Sequence, residues 1–320
     1  MPTEPVPAVD LNDVDGGGPG RGEGGSGGGG GDGRGDGPAG PRSPRGGNAK
    51  VMLVLGVLIA PLLLAAAVVV VPSIVSSGGG GGTTKTAPTV AGAQYKLFLR
   101  PGLALSQIAD VVATLPGHTK AGFLSAANSG RVRSHYEPPT SKSLEGLLAP
   151  DTYFIGKNES DDSILQRLVT HFDALADQIG VNSATTVTPY QTIVVASLVG
   201  QESKLPSDSP QVAAVIYNRI RAKMPLQIDA TLCYAKGGCP PVPTNADKAL
   251  NNPYNTYKIP GLPPTPIASV TTSALRAALA PASVPYVYYV IADSTGKLVF
   301  STTLQQQNAN IAAARRKGLL

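Results

Sequence analysis

The rhythm of apolar and polar positions changes several times along the chain, and each change marks an element. Val51 to Val71 (VMLVLGVLIAPLLLAAAVVVV) runs for 21 residues with no polar period and no charge. At about 1.5 Å per residue it covers about 30 Å of hydrocarbon, which predicts one transmembrane helix kinked at Pro61. A cleaved signal peptide is the alternative, but its apolar core is shorter and a leading stretch of 50 residues is unusual for one. From Tyr95 the pattern becomes that of a packed domain. YKLFLRPG reads as a strand ending at a Pro-Gly turn. LSQIADVVATL then sets Leu105, Ile108, Val111, Val112 and Leu115 on one helical face, with Ser106 as a candidate cap. A second short helix, with Phe123 and Leu124, runs to about Gly130. This is a β-α-α module in which no chemistry is visible.

Helical spacing is clearer further on. Ser163 to Ile179 carries the stripe Ile164, Leu168, Phe172, Leu175, Ile179 and stops at Gly180. Thr188-Pro189-Tyr190-Gln191 is a capping box with proline at the first helical position. The helix it opens buries Ile193, Leu198 and Val199 and brings Glu202 out near its end. Ser209-Pro210 opens another, with Val212, Val215, Ile216 and Ile220 inward. VPYVYYVIAD and GKLVFS are two β runs joined at Asp293-Ser294-Thr295-Gly296, a hairpin. Gln305 to Arg316 is a final amphipathic helix. The predicted fold class is α+β.

Composition narrows where this fold resides. Of 38 glycines, 18 fall in the first 50 residues and five form the run Gly78 to Gly82. The first stretch has no aromatic and few large aliphatic side chains, so it cannot offset the entropy of ordering and is expected to be a disordered tail. Residues 72–94 read as a flexible linker reaching about 25 Å. The expected organisation is therefore tail 1–50, span 51–71, linker 72–94, small module 95–140 and main domain 141–320. Arg42, Arg45 and Lys50 flank the span on its N-terminal side, whereas the next charge after it is Lys85. The positive-inside rule puts the tail in the cytoplasm and the remainder outside the cell membrane. The chain carries +5, the tail −2 and the span nothing, so the exported part carries +7. That surface suits an anionic cell wall, and nucleic acid is not an expected partner there. Cys233 and Cys239 also lie in the exported part, with Tyr-Ala-Lys-Gly-Gly between them. An oxidising compartment favours a disulfide over a metal site, because no histidine is near.

Candidate chemistry emerges by elimination. His118, His135 and His171 are far apart and have no partner at helical spacing, so neither a metal nor a histidine-driven site is expected. Ser294-Thr295-Gly296-Lys297 matches S-x-x-K, but it falls in the hairpin turn, whereas that chemistry needs one helical turn between the two side chains. The run Gly78 to Lys85 lacks the GK[ST] of a phosphate loop, and no cofactor is expected. Carboxylates remain: Glu202 after an apolar helix, Glu145 in LEGLLAPDTY, and Asp229 in LQIDAT. Asp151, after a proline, and Asp229, before Ala230, are also candidate helix caps.

In this order the segments Leu144-Glu145-Gly146 with Pro150-Asp151-Thr152-Tyr153, Ala196-Ser197-Leu198-Val199 leading to Glu202, and Val215-Ile216-Tyr217-Asn218-Arg219-Ile220 resemble one known family. Leu226-Gln227-Ile228-Asp229 with Thr231, Tyr254-Asn255-Thr256-Tyr257, Gly261-Leu262-Pro263-Pro264-Thr265-Pro266-Ile267, and Tyr288-Tyr289-Val290 with Phe300-Ser301 complete the match. The chain is similar to the endolytic murein transglycosylases, or YceG-like proteins, over about Tyr95 to Asn308, and its glycine-rich tail gives it the look of an actinobacterial member.

The resemblance implies a single-pass anchored enzyme with a LysM-like module and a YceG-like catalytic domain. Such an enzyme cuts peptidoglycan glycan strands internally between N-acetylmuramic acid and N-acetylglucosamine, leaves 1,6-anhydromuramic ends, and ends strand elongation beside penicillin-binding synthases. Glu202 takes the place of the family's catalytic glutamate. Glu145, Gln227, Asp229 and Asn255 become candidates to hydrogen-bond sugars or Glu202, Asn218 to bind or support the substrate, and Tyr254 and Tyr257 either to offer ring faces to the glycan or to pack in the core. The sequence departs from the family at Gly200, where a second glutamate is common, at Ala230, where proline is usual, and at Gln307, where many members have histidine. There is also room for only one LysM-like unit. The rival reading is a catalytically silent wall-binding or scaffold protein of the same fold.

Overall fold

The structure, a computed structural model, describes residues 94–239 and 243–320. The expected tail, span and nearly all of the linker lie outside these residues. Among the described residues no helix is long and apolar enough to cross a membrane.

Two antiparallel ribbons and a set of helices make an α+β fold. The element order is β1 (Gln94–Phe98), α1 (Leu105–Val112), α2 (Lys120–Ala127), β2 (Thr152–Gly156), α3 (Asp161–Ile179), α4 (Pro189–Glu202) and α5 (Ser209–Arg221). Then follow α6 (Asp229–Lys236), α7 (Asn245–Lys248), α8 (Thr272–Leu279), β3 (Tyr288–Ile291), β4 (Leu298–Ser301) and α9 (Leu304–Arg316). β1 pairs with β2, with Leu97 opposite Tyr153, and β3 pairs with β4, with Tyr289 opposite Phe300.

Burial divides the apolar side chains into two cores joined by α3. One collects Leu97, Leu99, Ile108, Val112 and Phe123 with Leu144, Leu148, Tyr153, Ile155 and Ile164 to Val169. The other holds Phe172 and Ala176 of α3 with the inner faces of α4, α5 and α8. The strand pattern alone could not show that β1 takes its partner from beyond residue 140. The module's apolar core thus extends into α3.

Local corrections have simple causes. Ser106 is exposed inside α1; the cap position is Ala104, whose N–H donates to Gln107 Oε1 at 3.0 Å. Asp151 caps no helix: its Oδ1 accepts from Thr152 N–H at the start of β2. Asp229 is the first residue of α6, with Ile228 at the cap position and no side-chain cap bond. On α3 the inner positions are Leu165, Val169 and Ala176 beside Ile164, Leu168 and Phe172, while Leu175 and Ile179 are half-buried. The stripe is wider than one heptad seam because α3 serves both cores.

The helix that carries Glu202 is the centre of the larger core. Thr188 Oγ1 accepts from Gln191 N–H at 3.2 Å, and Gln191 Oε1 accepts from Thr188 N–H at 3.1 Å, which closes the capping box. Every residue from Thr192 to Val199 is buried, so α4 is covered all round until its last turn. Ser197 Oγ accepts from Ile267 N–H at 3.2 Å and ties the Gly261–Ile267 segment to it.

Gly146 makes another long-range fit. Its φ is +74°, and a Cβ there would lie 2.3 Å from Pro266 Cβ. Gly146→Ala is expected to cost about 2–4 kcal/mol, from a left-handed backbone plus overpacking, read as a lowered denaturation midpoint.

Candidate active site

Glu202 is the last residue of α4, where the chain leaves the helix at Ser203 in extended conformation. Glu202 is half-buried as a residue, and Leu198 and Val199 face the core beneath it. Tyr289, from the middle of β3, donates its hydroxyl proton to Glu202 Oε2 at 3.0 Å. The Ala230 N–H, in the first turn of α6, donates to the same carboxyl. Burial, and next the neighbouring Asp229 charge, push Glu202 up to about 7 against these two hydrogen bonds and Arg219. Its place at the carbonyl end of α4 acts in the same direction, since a helix C-terminus disfavours an anion. Tyr289 is raised well above the ordinary tyrosine range, chiefly by burial and then by Glu202, so it stays a donor.

The other predicted residues fall into distinct places. Asp229, exposed, accepts a hydrogen bond from the Tyr257 hydroxyl on Oδ1; the Asp229 charge acts on Glu202, and the Glu202 charge in turn raises Tyr257. Gln227 adopts a left-handed backbone, φ +51°, and its Oε1 lies 3.5 Å from Arg219 Nη1. Asn218 gives both amide protons to the carbonyls of Val284 and Tyr286. Asn255, fully buried, gives both of its own to Lys248 and Leu250 carbonyls and accepts from Tyr257 N–H. Neither asparagine has an amide hydrogen left for a sugar; they shape the β3 approach and the loop bearing Tyr257.

Glu145 belongs to a second cluster. It is 3 % exposed; its Oε1 accepts from Leu105 N–H and its Oε2 from the Tyr234 hydroxyl, each at 2.9 Å. The Tyr234 ring centroid lies 4.7 Å from that of Tyr254, whose hydroxyl pairs with Thr265. Glu145 thus joins the start of α1 to α6. Burial raises it from 4.5 to about 7. A carboxyl raised on folding stabilises the fold below pH 4.5 and loses that contribution as pH rises to about 7. Glu145→Gln is therefore expected to match the wild type near pH 4 and to exceed it by up to about 3 kcal/mol at pH 8, measured by denaturant titration at both pH values. Cys233 and Cys239 are joined by a disulfide at the far end of α6 from Ala230.

Arg219 and Tyr289 lay within the matched segments but were not singled out as site residues. Arg219 donates from Nε to Val287 O at 2.6 Å and from Nη1 to Leu226 O at 2.8 Å, with its guanidinium 5.3 Å from the Tyr288 ring centroid. Its spacing carried a signal: position 219 follows Val215 by four and Ile216 by three, on the inward stripe, and an inward arginine needs partners. Tyr289 gave none, because both neighbours in its strand are also large and apolar. Gln307 holds this strand from behind, donating to Tyr289 O at 3.0 Å and accepting from the Ser301 hydroxyl at 2.8 Å.

Nothing in the packing requires glycine at position 200, where a Cβ would meet Ala274 Cβ at 3.9 Å. The three histidines pair with aspartates away from Glu202. Among the described residues no group of His, Cys, Asp or Glu is placed to hold a metal ion.

The YceG-like family model matches residues 84–313. An endolytic murein transglycosylase of Bacillus subtilis is 28% identical over 239 residues, spanning 70% of this chain and 66% of that protein. One from Streptococcus pneumoniae is 26% identical over 241 residues, spanning 68% of this chain and 44% of that one. The chain therefore spans between under half and about two thirds of the length of these relatives. The crystal structure of a yceG-like protein from Listeria monocytogenes superposes with a TM-score of 0.61 at 32% identity, covering 67% of this chain and 75% of that one. With a family model matched across most of its length and a solved fold alongside, this chain belongs to the YceG-like family.

Proposed function

We propose that the chain is a lytic transglycosylase that cleaves peptidoglycan glycan strands internally, between N-acetylmuramic acid and N-acetylglucosamine, leaving 1,6-anhydromuramic ends. One observation carries the reading: Glu202, at the end of α4, is raised to about 7 and bonded by Tyr289 and Ala230. A carboxyl near 7 is poised to give and take a proton at neutral pH. Protonated Glu202 donates to the leaving glycosidic oxygen as the oxocarbenium-like centre develops. The carboxylate so formed is held by the Tyr289 hydroxyl and the Ala230 N–H, and it accepts the proton of the sugar's C6 hydroxyl as that oxygen attacks C1. The nucleophile is part of the substrate, so no second carboxylate is needed to activate water. Asp229, by its charge, keeps Glu202 protonated, and Tyr257 holds Asp229 in place; Gln227, on the left-handed backbone beside them, is assigned to meet a sugar.

The names of the relatives support this substrate, and the +7 charge of the part after Val71 suits an anionic wall. The β1-α1-α2-β2 order supports a LysM-like module whose last strand comes from beyond residue 140. We assign Val51–Val71 as the anchor, with the catalytic part outside the cell membrane, close enough to act on strands as penicillin-binding synthases extend them.

The pH profile tests the protonation state. With peptidoglycan as substrate, kcat/KM is expected to fall as pH rises through about 7, since only protonated Glu202 starts the reaction. Asp229→Asn should move that limb to lower pH, because the charge that raises Glu202 is gone. A limb unmoved by this substitution would contradict the assignment of the limb to Glu202.

A further inference from the structure

The β1–β2 ribbon has one buried and one open face. Tyr95, Leu97, Tyr153 and Ile155 turn inward; Lys96, Phe98, Thr152 and Phe154 turn outward, with Lys96 directly opposite Phe154. Phe98 is 60% exposed and Phe154 54%, and among the described residues the one other large apolar side chain left so open is the C-terminal Leu320. Lys96 lies opposite Phe154, Arg100 follows Phe98 by two residues and Lys157 follows Phe154 by three; all three are exposed and have no ion pair among the described residues. Of the anions in the same segment, Glu159 pairs with Arg167, while Asp151, exposed, accepts from Thr152 N–H and lies 3.7 Å from His171. Exposed phenylalanines with unpaired cations opposite or near them in sequence suit a bilayer interface, where rings enter the acyl boundary and cations meet anionic headgroups.

The chain's own layout says which surface is within reach. β1 starts at Gln94, 23 residues after Val71, so the strand bearing Lys96 and Phe98 is the first element after the proposed anchor. A flexible linker of that length has a root-mean-square reach of about 25 Å from the proposed span. We propose that the outer face of the β1–β2 ribbon, through Phe98, Phe154, Lys96, Arg100 and Lys157, docks on the anionic surface of the membrane in which the chain is anchored. This rests on the anchor assigned above. Docking sets the orientation of the catalytic part over the bilayer.

The chain has no tryptophan, so a single one reports cleanly. Full-length Phe98→Trp and Phe154→Trp, reconstituted in phosphatidylcholine vesicles with and without phosphatidylglycerol, are compared with Ala312→Trp on the exposed face of α9. The expected result is blue-shifted emission, quenched by brominated acyl chains, for the two ribbon variants in anionic vesicles. High salt or Lys96→Glu with Arg100→Glu should reverse it, and Ala312→Trp should stay at the emission of water. If the protein floats with vesicles but the ribbon tryptophans remain in water, the docking proposal is overturned and the anchor stands. A shift produced by soluble glycan fragments and not by lipid overturns it in favour of a sugar-binding face. If the protein does not float with vesicles, the anchor assignment falls and the proposal with it.

Discussion

Glu202→Gln is expected to lower the rate of glycan cleavage by about 10²- to 10⁴-fold, toward the upper end because one carboxyl serves as both acid and base. Glutamine keeps an oxygen for the Tyr289 hydroxyl and the Ala230 N–H, so the local hydrogen bonds survive while the transferable proton is lost. Folding should be intact, and linkage sharpens this. Glu202 rises from 4.5 to about 7 on folding, so its ionisation weakens the native state as pH rises through that window. The variant is expected to melt no lower than wild type at pH 8. A fall in activity accompanied by unfolding would point to a structural role. Anhydro-ended product counted alongside a thermal melt separates the two.

Arg219→Met is the second large effect, and it acts mainly on the scaffold. The guanidinium donates to the carbonyls of Val287, Pro225 and Leu226, and so joins α5 to the approach of β3 and to the turn before α6. Those two segments carry Tyr289 and Ala230, the two donors to Glu202. Methionine fills similar volume but leaves the carbonyls without their donor. Loss of such a part-buried, charge-assisted network costs about 3–5 kcal/mol. Denaturant unfolding should show that loss. Activity should fall even where the variant is folded, because the donors to Glu202 are no longer held in register. Lysine at 219 cannot restore three carbonyl contacts from one ammonium, so Arg219→Lys is expected to rescue little. Full activity in a folded Arg219→Met protein would contradict the positioning role.

Much of this arrangement was legible in the sequence, and the boundary has a physical cause. The capping box at Thr188, the stop at Gly180 and the turn at Asp293 to Gly296 are local: side chains a few residues apart determine them, and they stand where the pattern placed them. Glu202 at the end of an apolar helix was equally readable. Long-range pairings were not. That β1 takes its partner at Thr152–Gly156, that Glu145 bonds to Tyr234, and that Tyr289 reaches Glu202 across 87 positions depend on packing that no local spacing encodes. Asn218 and Asn255 show the converse: polar residues in matched segments drew a sugar-binding reading, yet their amides are consumed by backbone carbonyls. A buried amide serves its own loop first, since leaving carbonyls unpaired is costly.

The most direct test of the central claim is the chemistry of the ends produced. Purified peptidoglycan is digested with the full-length protein and with Glu202→Gln, and the new glycan termini are identified by mass spectrometry. The account predicts 1,6-anhydromuramic ends from internal cuts with the wild type and their near absence with the variant. Reducing ends would assign a hydrolase, no new ends would assign a silent wall-binding protein, and unchanged anhydro ends from Glu202→Gln would remove Glu202 from the chemistry; each of these contradicts the account.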